Sequence, residues 1–234
     1  MIRDMTEICI LPELPPVIAI DGPSGSGKGT VAQILARELG WHFLDSGAIY
    51  RILAYAAQQR GIPLDAPVEL AELARTLPVT FSPIDARIRL EDIDIKDEIR
   101  TEAAGNAASK VAAIPEVRVA LLARQRAFRE VPGLVADGRD MGTVVFPDAQ
   151  VKVFLTASAE ERALRRYNQL IEKGLDANLP ALVAEIAERD HRDATRSTAP
   201  LKPAADAEIV DTSDLDIAQT VACVRALVQR RLDV

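Results

Sequence analysis

The sequence predicts an α/β protein whose parallel sheet is covered by helices on both faces. Three observations predict it. Short apolar runs rich in β-branched residues recur along the chain, as in VIAID (residues 17–21), VKVFL (151–155) and AEIVD (207–211). The stretches between and after them carry apolar residues at helical spacing. Strands that alternate with helices build parallel sheets through right-handed crossovers.

The elements follow in order. Residues 1–16 hold three prolines and no sustained periodicity, which reads as a loosely ordered lead-in to one domain over 17–234. VIAID is a buried strand closed by a Gly-rich stretch, and after Lys28 the spacing of Val31, Ile34, Leu35 and Leu39 is helical, with Gly40 as the stop. WHFL (41–44) reads as a second strand, with Trp41 in the core, and a helix is expected over about 47–59. Over 79–95 the alternation breaks: VTFSP, ARIRL and DIDI are spaced like a small antiparallel meander, followed by an alanine-rich helix near 98–111. This reads as an insert over about 66–111 carried on the main sheet. Strands are next expected at GLVAD (133–137), VKVFL and AEIVD, and the final helix presents Val221, Val224, Leu227 and Val228 at intervals suited to packing on the sheet.

Composition excludes several functions. The chain carries 28 Lys and Arg against 35 Asp and Glu, a net charge of −7, so it lacks the general basic excess of sequence-independent nucleic-acid binders. No apolar run approaches the ~18 residues of a membrane span. ICIL, near the start, is too short for a signal-peptide core, so a reducing cytoplasm is the expected setting and a monomer the expected state. Cys9 and Cys223 cannot make a disulfide framework or a four-thiolate zinc site, and His42 and His191 lack paired ligand spacing.

The strongest chemical signal is DGPSGSGKGT (21–30) between a strand and a helix. Its glycines let the backbone turn N–H groups inward, the helix start adds a positive dipole end, and Lys28 reaches a bound nucleotide's β- and γ-phosphates. This is a phosphate loop. The strict pattern places Ser or Thr where Gly29 stands, leaving Thr30 as the hydroxyl beside a metal. The GKGT ending is typical of nucleoside monophosphate kinases. No guanine-reading Asn-Lys-x-Asp occurs, and no Asp precedes Gly by three positions, which argues against a switch GTPase.

Three further groups stand out. In DSGAIYR (45–51), Ser46 ends a strand at the crevice where such sheets bind ligands, and Arg51 follows one and a half turns later; taken alone, Ser46 is equally a helix N-cap and Arg51 a surface charge. ADGRDMGTVVFPDA (136–149) packs Asp137, Arg139 and Asp140 around Gly138 after an apolar strand, an arrangement costly to bury without a use. In ERDHRDATR (188–196), Arg189, Asp193 and Arg196 share one helical face, and Arg162, Arg165 and Arg166 cluster earlier. Arginine grips phosphate in bidentate fashion, and phosphoryl transfer needs positive charge around an anionic transition state. Their late position over about 160–200 suits a mobile Arg-rich lid.

Taken in order, GPSGSGKGT, LDSGAIYR, NAASKVAAIPEVR, ADGRDMGTVVFPDA and ERDHRDATR resemble the bacterial cytidylate kinases from about Val17 to the C-terminus. The resemblance implies a P-loop NTPase-type fold and transfer of the γ-phosphate of ATP to CMP or dCMP with Mg²⁺, held mainly by ATP phosphates and water. By matched position it implies ATP contacts from Gly22, Pro23, Ser24, Gly25, Ser26, Gly27, Lys28, Gly29, Thr30 and Arg166. Ser46 resembles a base- or sugar-side contact, Arg51 a CMP phosphate ligand, and Ser109 and Arg118 cytosine-edge contacts. Arg139 and Arg196 resemble phosphate ligands that act with Lys28 in the transfer, and Arg189 and Asp193 ribose-side contacts. Asp140 resembles the partner of the cytosine amino group; uracil presents an oxygen there, so such a site discriminates against UMP. Asp92 stands at what resembles a family hairpin glycine, where Asp tolerates left-handed backbone. Two other readings of the loop remain open at this stage. A P-loop kinase for another small molecule would show no stimulation by a nucleotide acceptor. A non-enzymatic ATP-binding module would bind nucleotide without transfer and leaves the acceptor-side motifs unexplained.

Overall fold

The computed structural model describes residues 14–81 and 88–232. Most of the expected lead-in, Cys9 and residues 82–87 of the meander lie outside that range. Along the described chain run β1 (Val17–Asp21), α1 (Lys28–Leu39), β2 (His42–Asp45), α2 (Ser46–Gln59), α3 (Pro67–Thr76), β3 (Val79–Phe81), β4 (Ile88–Leu90) and β5 (Ile93–Asp94). They are followed by α4 (Glu102–Val111), α5 (Pro115–Arg126), β6 (Leu134–Gly138), β7 (Val151–Thr156), α6 (Ala159–Glu172), α7 (Leu179–Thr195), β8 (Glu208–Asp211) and α8 (Ile217–Leu232).

Five strands form one parallel sheet in the order β2-β6-β1-β7-β8, as expected of an α/β chain. β1 sits at the centre, and the chain leaves it first toward β2 and later toward β7, so a crevice opens at the carboxyl ends beside it. Side chains alternate across the pleat. Val17 and Ala19 of β1 face the larger core with α2, α3, α4 and α5, whereas Ile18 and Ile20 face a second core with α1 and α8. The same alternation in β6 sends Ala136 to the first face and Val135 to the second. Asp21 and Asp137, two residues further along their strands, continue these opposite faces to the rim.

The antiparallel meander is present as the sheet β3-β4-β5. Its β4–β5 turn has Glu91 at φ 50° and Asp92 at φ 69°, the left-handed pair of a tight hairpin, a backbone conformation that Asp tolerates. The helices α3 and α4 on either side bury Leu70, Leu73, Ala107 and Val111 in the first core. A third, small core lies between α6 and α7, with Ala163, Leu182 and Ile186 buried.

Several boundaries differ from the sequence expectation. Trp41 precedes β2 instead of lying in it, and is half-buried over Gly133, where a Cβ would stand 2.5 Å from its ring. The helix expected over 98–111 is broken: a 3-10 turn spans Glu98–Arg100, and Thr101 caps α4 by accepting the Ala104 N–H. The edge strand β8 is largely exposed, with Ile209 62% accessible. After β6 the chain forms a π-helical turn over Met141–Val145, for which the sequence gives no signal; Val145 N and Phe146 N donate to the carbonyls of Asp140 and Met141. Val221, Val224, Leu227 and Val228 of α8 are buried as expected.

Candidate active site

The phosphate loop leaves β1 and feeds α1, whose first residue is Lys28. Gly22, at φ 152°, lies so close to β7 that a Cβ would stand 2.0 Å from the Leu155 carbonyl oxygen, so only glycine fits. Gly27 precedes the helix in the left-handed region at φ 84°. The Lys28 ammonium is buried and donates to the Pro23 carbonyl at 2.9 Å, folding over its own loop. Burial, and then the nearby Arg139 guanidinium, push its pKa down to about 7. Gly29 explains the departure from the strict loop pattern: a Cβ there would stand 3.0 Å from an oxygen of Asp137. That carboxylate occupies the space where a longer residue would begin.

Two cavities open on either side of the loop. The first, about 620 Å³, is walled by the loop, by Arg162, Arg165 and Arg166 of α6, and by Leu215 and Ile217 at the start of α8. The second, about 480 Å³, lies between the ends of β2 and β6 and the helices α2, α4, α5 and α7. Both are lined by Ser24, Lys28, Gly29, Thr30, Gln169 and Arg189, so they meet above the phosphate loop.

The structure gathers every acceptor-side residue named from the sequence into the second cavity: Ser46, Arg51, Ser109, Arg118, Arg139, Asp140, Arg189, Asp193 and Arg196. Ser24, Gly25, Gly27, Lys28, Gly29, Thr30 and Arg166 line the first, whereas Gly22, Pro23 and Ser26 line neither and support the loop from behind. Ser26 illustrates that support: its carbonyl accepts from Thr212 Oγ1 at 3.3 Å.

Within the second cavity the side chains are already paired. Arg118 and Asp140, both buried, form an ion pair, and Arg118 also lies over the Tyr50 ring, 5.7 Å from its centroid. Arg196 Nη2 stands 3.9 Å from the other Asp140 oxygen, and its Nε donates to the Ala199 carbonyl at 2.6 Å. Asp193 accepts from Ser109 Oγ at 2.8 Å and Arg139 Nε at 3.1 Å. Burial works against ionisation of Asp193, but Arg139 and Arg189 outweigh it and hold the carboxyl below its ordinary value. Ser109 thus pairs with Asp193 while lining the same cavity as Arg118 and Asp140. Arg189 reaches Ser24 Oγ at 3.2 Å, close against the α4 backbone at Gly105, and burial, then Arg139, lower its pKa to about 10.

Three details correct the sequence reading. The N-cap of α2 is Asp45, accepting the Ala48 N–H at 2.8 Å; Ser46 is the first helical residue, which frees its buried hydroxyl for the cavity. Asp45 also holds Arg51 Nη2 at 2.8 Å, so Arg51 is not a free surface charge. Arg196 lies one residue beyond α7 with extended ψ, so it reaches the cavity from a turn and not from the helical face of Arg189 and Asp193. Arg166 pairs with Glu102 of α4 at 2.5 Å, and buried Arg162 ties the Ser24 carbonyl (3.0 Å) to Asp190 of α7.

Sequence reasoning missed Asp21, Tyr50 and Asp45, and it noticed Asp137 without giving it a part. Buried atoms left without a hydrogen-bond partner concentrate here: Arg51 Nε, Arg189 Nε, Arg196 Nη2 and Asp137 Oδ1. Burial raises the Asp137 pKa to about 6, against the pull of Lys28. Such orphaned groups are costly unless a ligand completes them. What the arrangement can hold is two anionic molecules meeting over Lys28.

A relative from Nitrosococcus oceani, described as a cytidylate kinase, is 61% identical over 206 residues, covering 86% of this chain and 91% of its own. One from Aeromonas hydrophila, of the same description, is 57% identical over 225 residues, covering 95% and 97%. Among solved structures, an uncharacterized protein from Eubacterium ventriosum matches with a TM-score of 0.50 at 12% identity, covering 92% of this chain and 99% of that one, a likeness of fold alone. The family model described as cytidylate kinase matches residues 18–230, and with it the motifs that line both cavities: the chain belongs to the cytidylate kinase family.

Proposed function

We propose that the protein transfers the γ-phosphate of ATP to CMP or dCMP, with ATP in the first cavity and the acceptor in the second. The single observation that carries this reading is the shared wall of the two cavities, where Lys28 and Arg189 stand between them. Two nucleotides lying there meet phosphate to phosphate, as in-line transfer demands. The loop amides and Lys28 hold the donor phosphates. Arg51, Arg139 and Arg196 bring charge to the acceptor phosphate and the transferred group, and no covalent enzyme intermediate is needed. Arg118 and Asp140 present a donor and an acceptor to the base edge. Ser109 and Asp193 form the sugar side, with Asp193 also orienting Arg139.

Mg²⁺ fits the residues present. Asp137 Oδ1 is buried without a partner beside Gly29, and Thr30 follows at the cavity wall. These two would hold the ion through water, most of its ligands coming from ATP phosphates. When bound, the ion neutralises charge on those phosphates. Among the described residues no group of three His, Cys, Asp or Glu is arranged to hold a metal alone.

The α6–α7 hairpin, packed on its own small core, acts as the closing lid that keeps water from the transferred phosphoryl group. The test is an ADP-release assay with each nucleoside monophosphate in turn. CMP and dCMP are expected to be the fastest acceptors, and faster turnover of UMP or AMP overturns the reading.

A further inference from the structure

Asp21 closes β1 immediately before the phosphate loop, on the face shared with Val17 and Ala19. Its carboxylate accepts two backbone N–H groups from the turn that follows the neighbouring strand β6: Met141 N on Oδ1 and Gly142 N on Oδ2, each at 2.8 Å. The side chain is 4% exposed. These amides open the π-helical turn, and the residues immediately before them are Arg139 and Asp140. The turn has no side-chain cap of its own. Its first two amides would be unsatisfied without Asp21. β-sheet pairing alone fixes the chain only as far as Gly138, which lies opposite Asp21 in register. Beyond Gly138, Asp21 holds the first two amides of the turn, while Arg126 Nε donates to the Val145 carbonyl at its far end (2.9 Å) and Met141 and Val145 are buried in the core.

We propose that Asp21 is a positioning residue for the acceptor: it anchors the turn that aims Arg139 and Asp140, and so couples the phosphate loop to base and phosphate recognition. This role rests on reading Arg139 and Asp140 as contacts of the nucleoside monophosphate. Asp21 lines neither cavity and touches no substrate, so its effect is transmitted through the turn. Each oxygen accepts one backbone N–H at 2.8 Å, the pattern of an ionised carboxylate, while burial works against that ionisation and raises the Asp21 pKa to about 7. An amide presents an NH₂ to one of the two N–H donors, and an alanine leaves both without acceptors.

Steady-state kinetics of Asp21→Asn and Asp21→Ala, with hydrogen exchange at single-residue resolution, test the role. Both variants are expected to raise KM for CMP about tenfold or more, the loss typical of removing a charge-assisted hydrogen bond. KM for ATP should stay within about twofold, the CMP-to-UMP preference should fall, and faster exchange should be confined to Met141, Gly142 and the turn they open. A merely structural role would lower stability while leaving the KM split unmoved, and that result overturns the proposal. If neither variant folds, the wild-type protein carries the test: CMP addition should shift the Asp21 carboxyl ¹³C resonance, and an unmoved resonance in CMP-saturated protein overturns the coupling. Failure of the wild-type protein to phosphorylate CMP is a different outcome and refutes the kinase reading itself.

Discussion

The two cavities that meet over Lys28 are made of different material. The donor side is a single local turn, Gly22 to Thr30, completed by α6 arginines whose partners, Glu161 and Glu102, are partly open to solvent. The acceptor side is a mesh of buried ion pairs and hydrogen bonds drawn from β2, α2, α4, α5, β6 and α7. Backbone amides grip phosphate regardless of the base above it, whereas fixed guanidinium and carboxylate groups read a particular edge. Grip is therefore cheap in sequence and local in structure. Selection needs the whole tertiary assembly.

Lys28→Met is the largest expected blow to the common element. It should lower kcat a hundredfold or more, as the loss of transition-state charge implies, while leaving the CMP-to-UMP ratio unchanged; a variant near wild-type rate would separate the loop from catalysis. Asp140→Ala sharpens the contrast from the other side. It should cut the preference for CMP over UMP by about ten- to a hundredfold, because base-edge pairs carry about 1–3 kcal/mol of discrimination. It also leaves Arg118 buried without its partner, costing about 3–5 kcal/mol in thermal unfolding. An unchanged ratio of specificity constants would remove Asp140 from base selection.

Lys28 also gives a signal in protons. Its pKa in the ligand-free protein lies near 7, below the ordinary lysine value, so at pH 8.5 it is mostly neutral. Bound phosphates favour the charged form, so ATP binding should take up about one proton at that pH. Calorimetry in two buffers of different ionisation enthalpy measures the uptake, which should vanish in Lys28→Met and diminish below pH 7. A smaller effect is expected for Arg162→Met, which frees the Ser24 carbonyl: KM for ATP should rise about three- to tenfold, the scale of one ordinary hydrogen bond, and more than KM for CMP. The smallest belongs far from both cavities. Breaking the exposed Arg225–Glu38 pair should change stability by less than about 1 kcal/mol in chemical unfolding and neither KM.

The donor side was readable from the sequence because its chemistry is consecutive. Strand, glycines, lysine and helix follow one another within fourteen positions, and the apolar runs on either side announce the sheet. The acceptor side was readable as a set of residues but not as a geometry. Asp21 looks like the first letter of the loop motif, yet its partners are backbone amides 120 residues later, which no periodicity signals. Met141–Val145 is a π-helical turn, and i→i+5 bonding has no sequence signature comparable with amphipathic spacing. Asp45 and Ser46 are both good N-caps, so only the fold decides which one caps and which faces the cavity. The end of β2 shifted by a residue for a related reason: it closes on Asp45, a polar residue at the crevice, where the apolar pattern stops.

The parallel sheet has a temporal consequence. β1 emerges from the ribosome early, but its neighbours β6 and β7 begin at residues 134 and 151, and Arg189, Asp193 and Arg196 follow later still. A nascent chain halted near residue 178 would carry the complete Gly-rich grip and the Arg118–Asp140 pair, and lack Arg189, Asp193 and Arg196. The groups proposed for the sugar and phosphate side are thus the last part of the site that synthesis supplies, and a prematurely terminated product would bear the phosphate-loop motif without them.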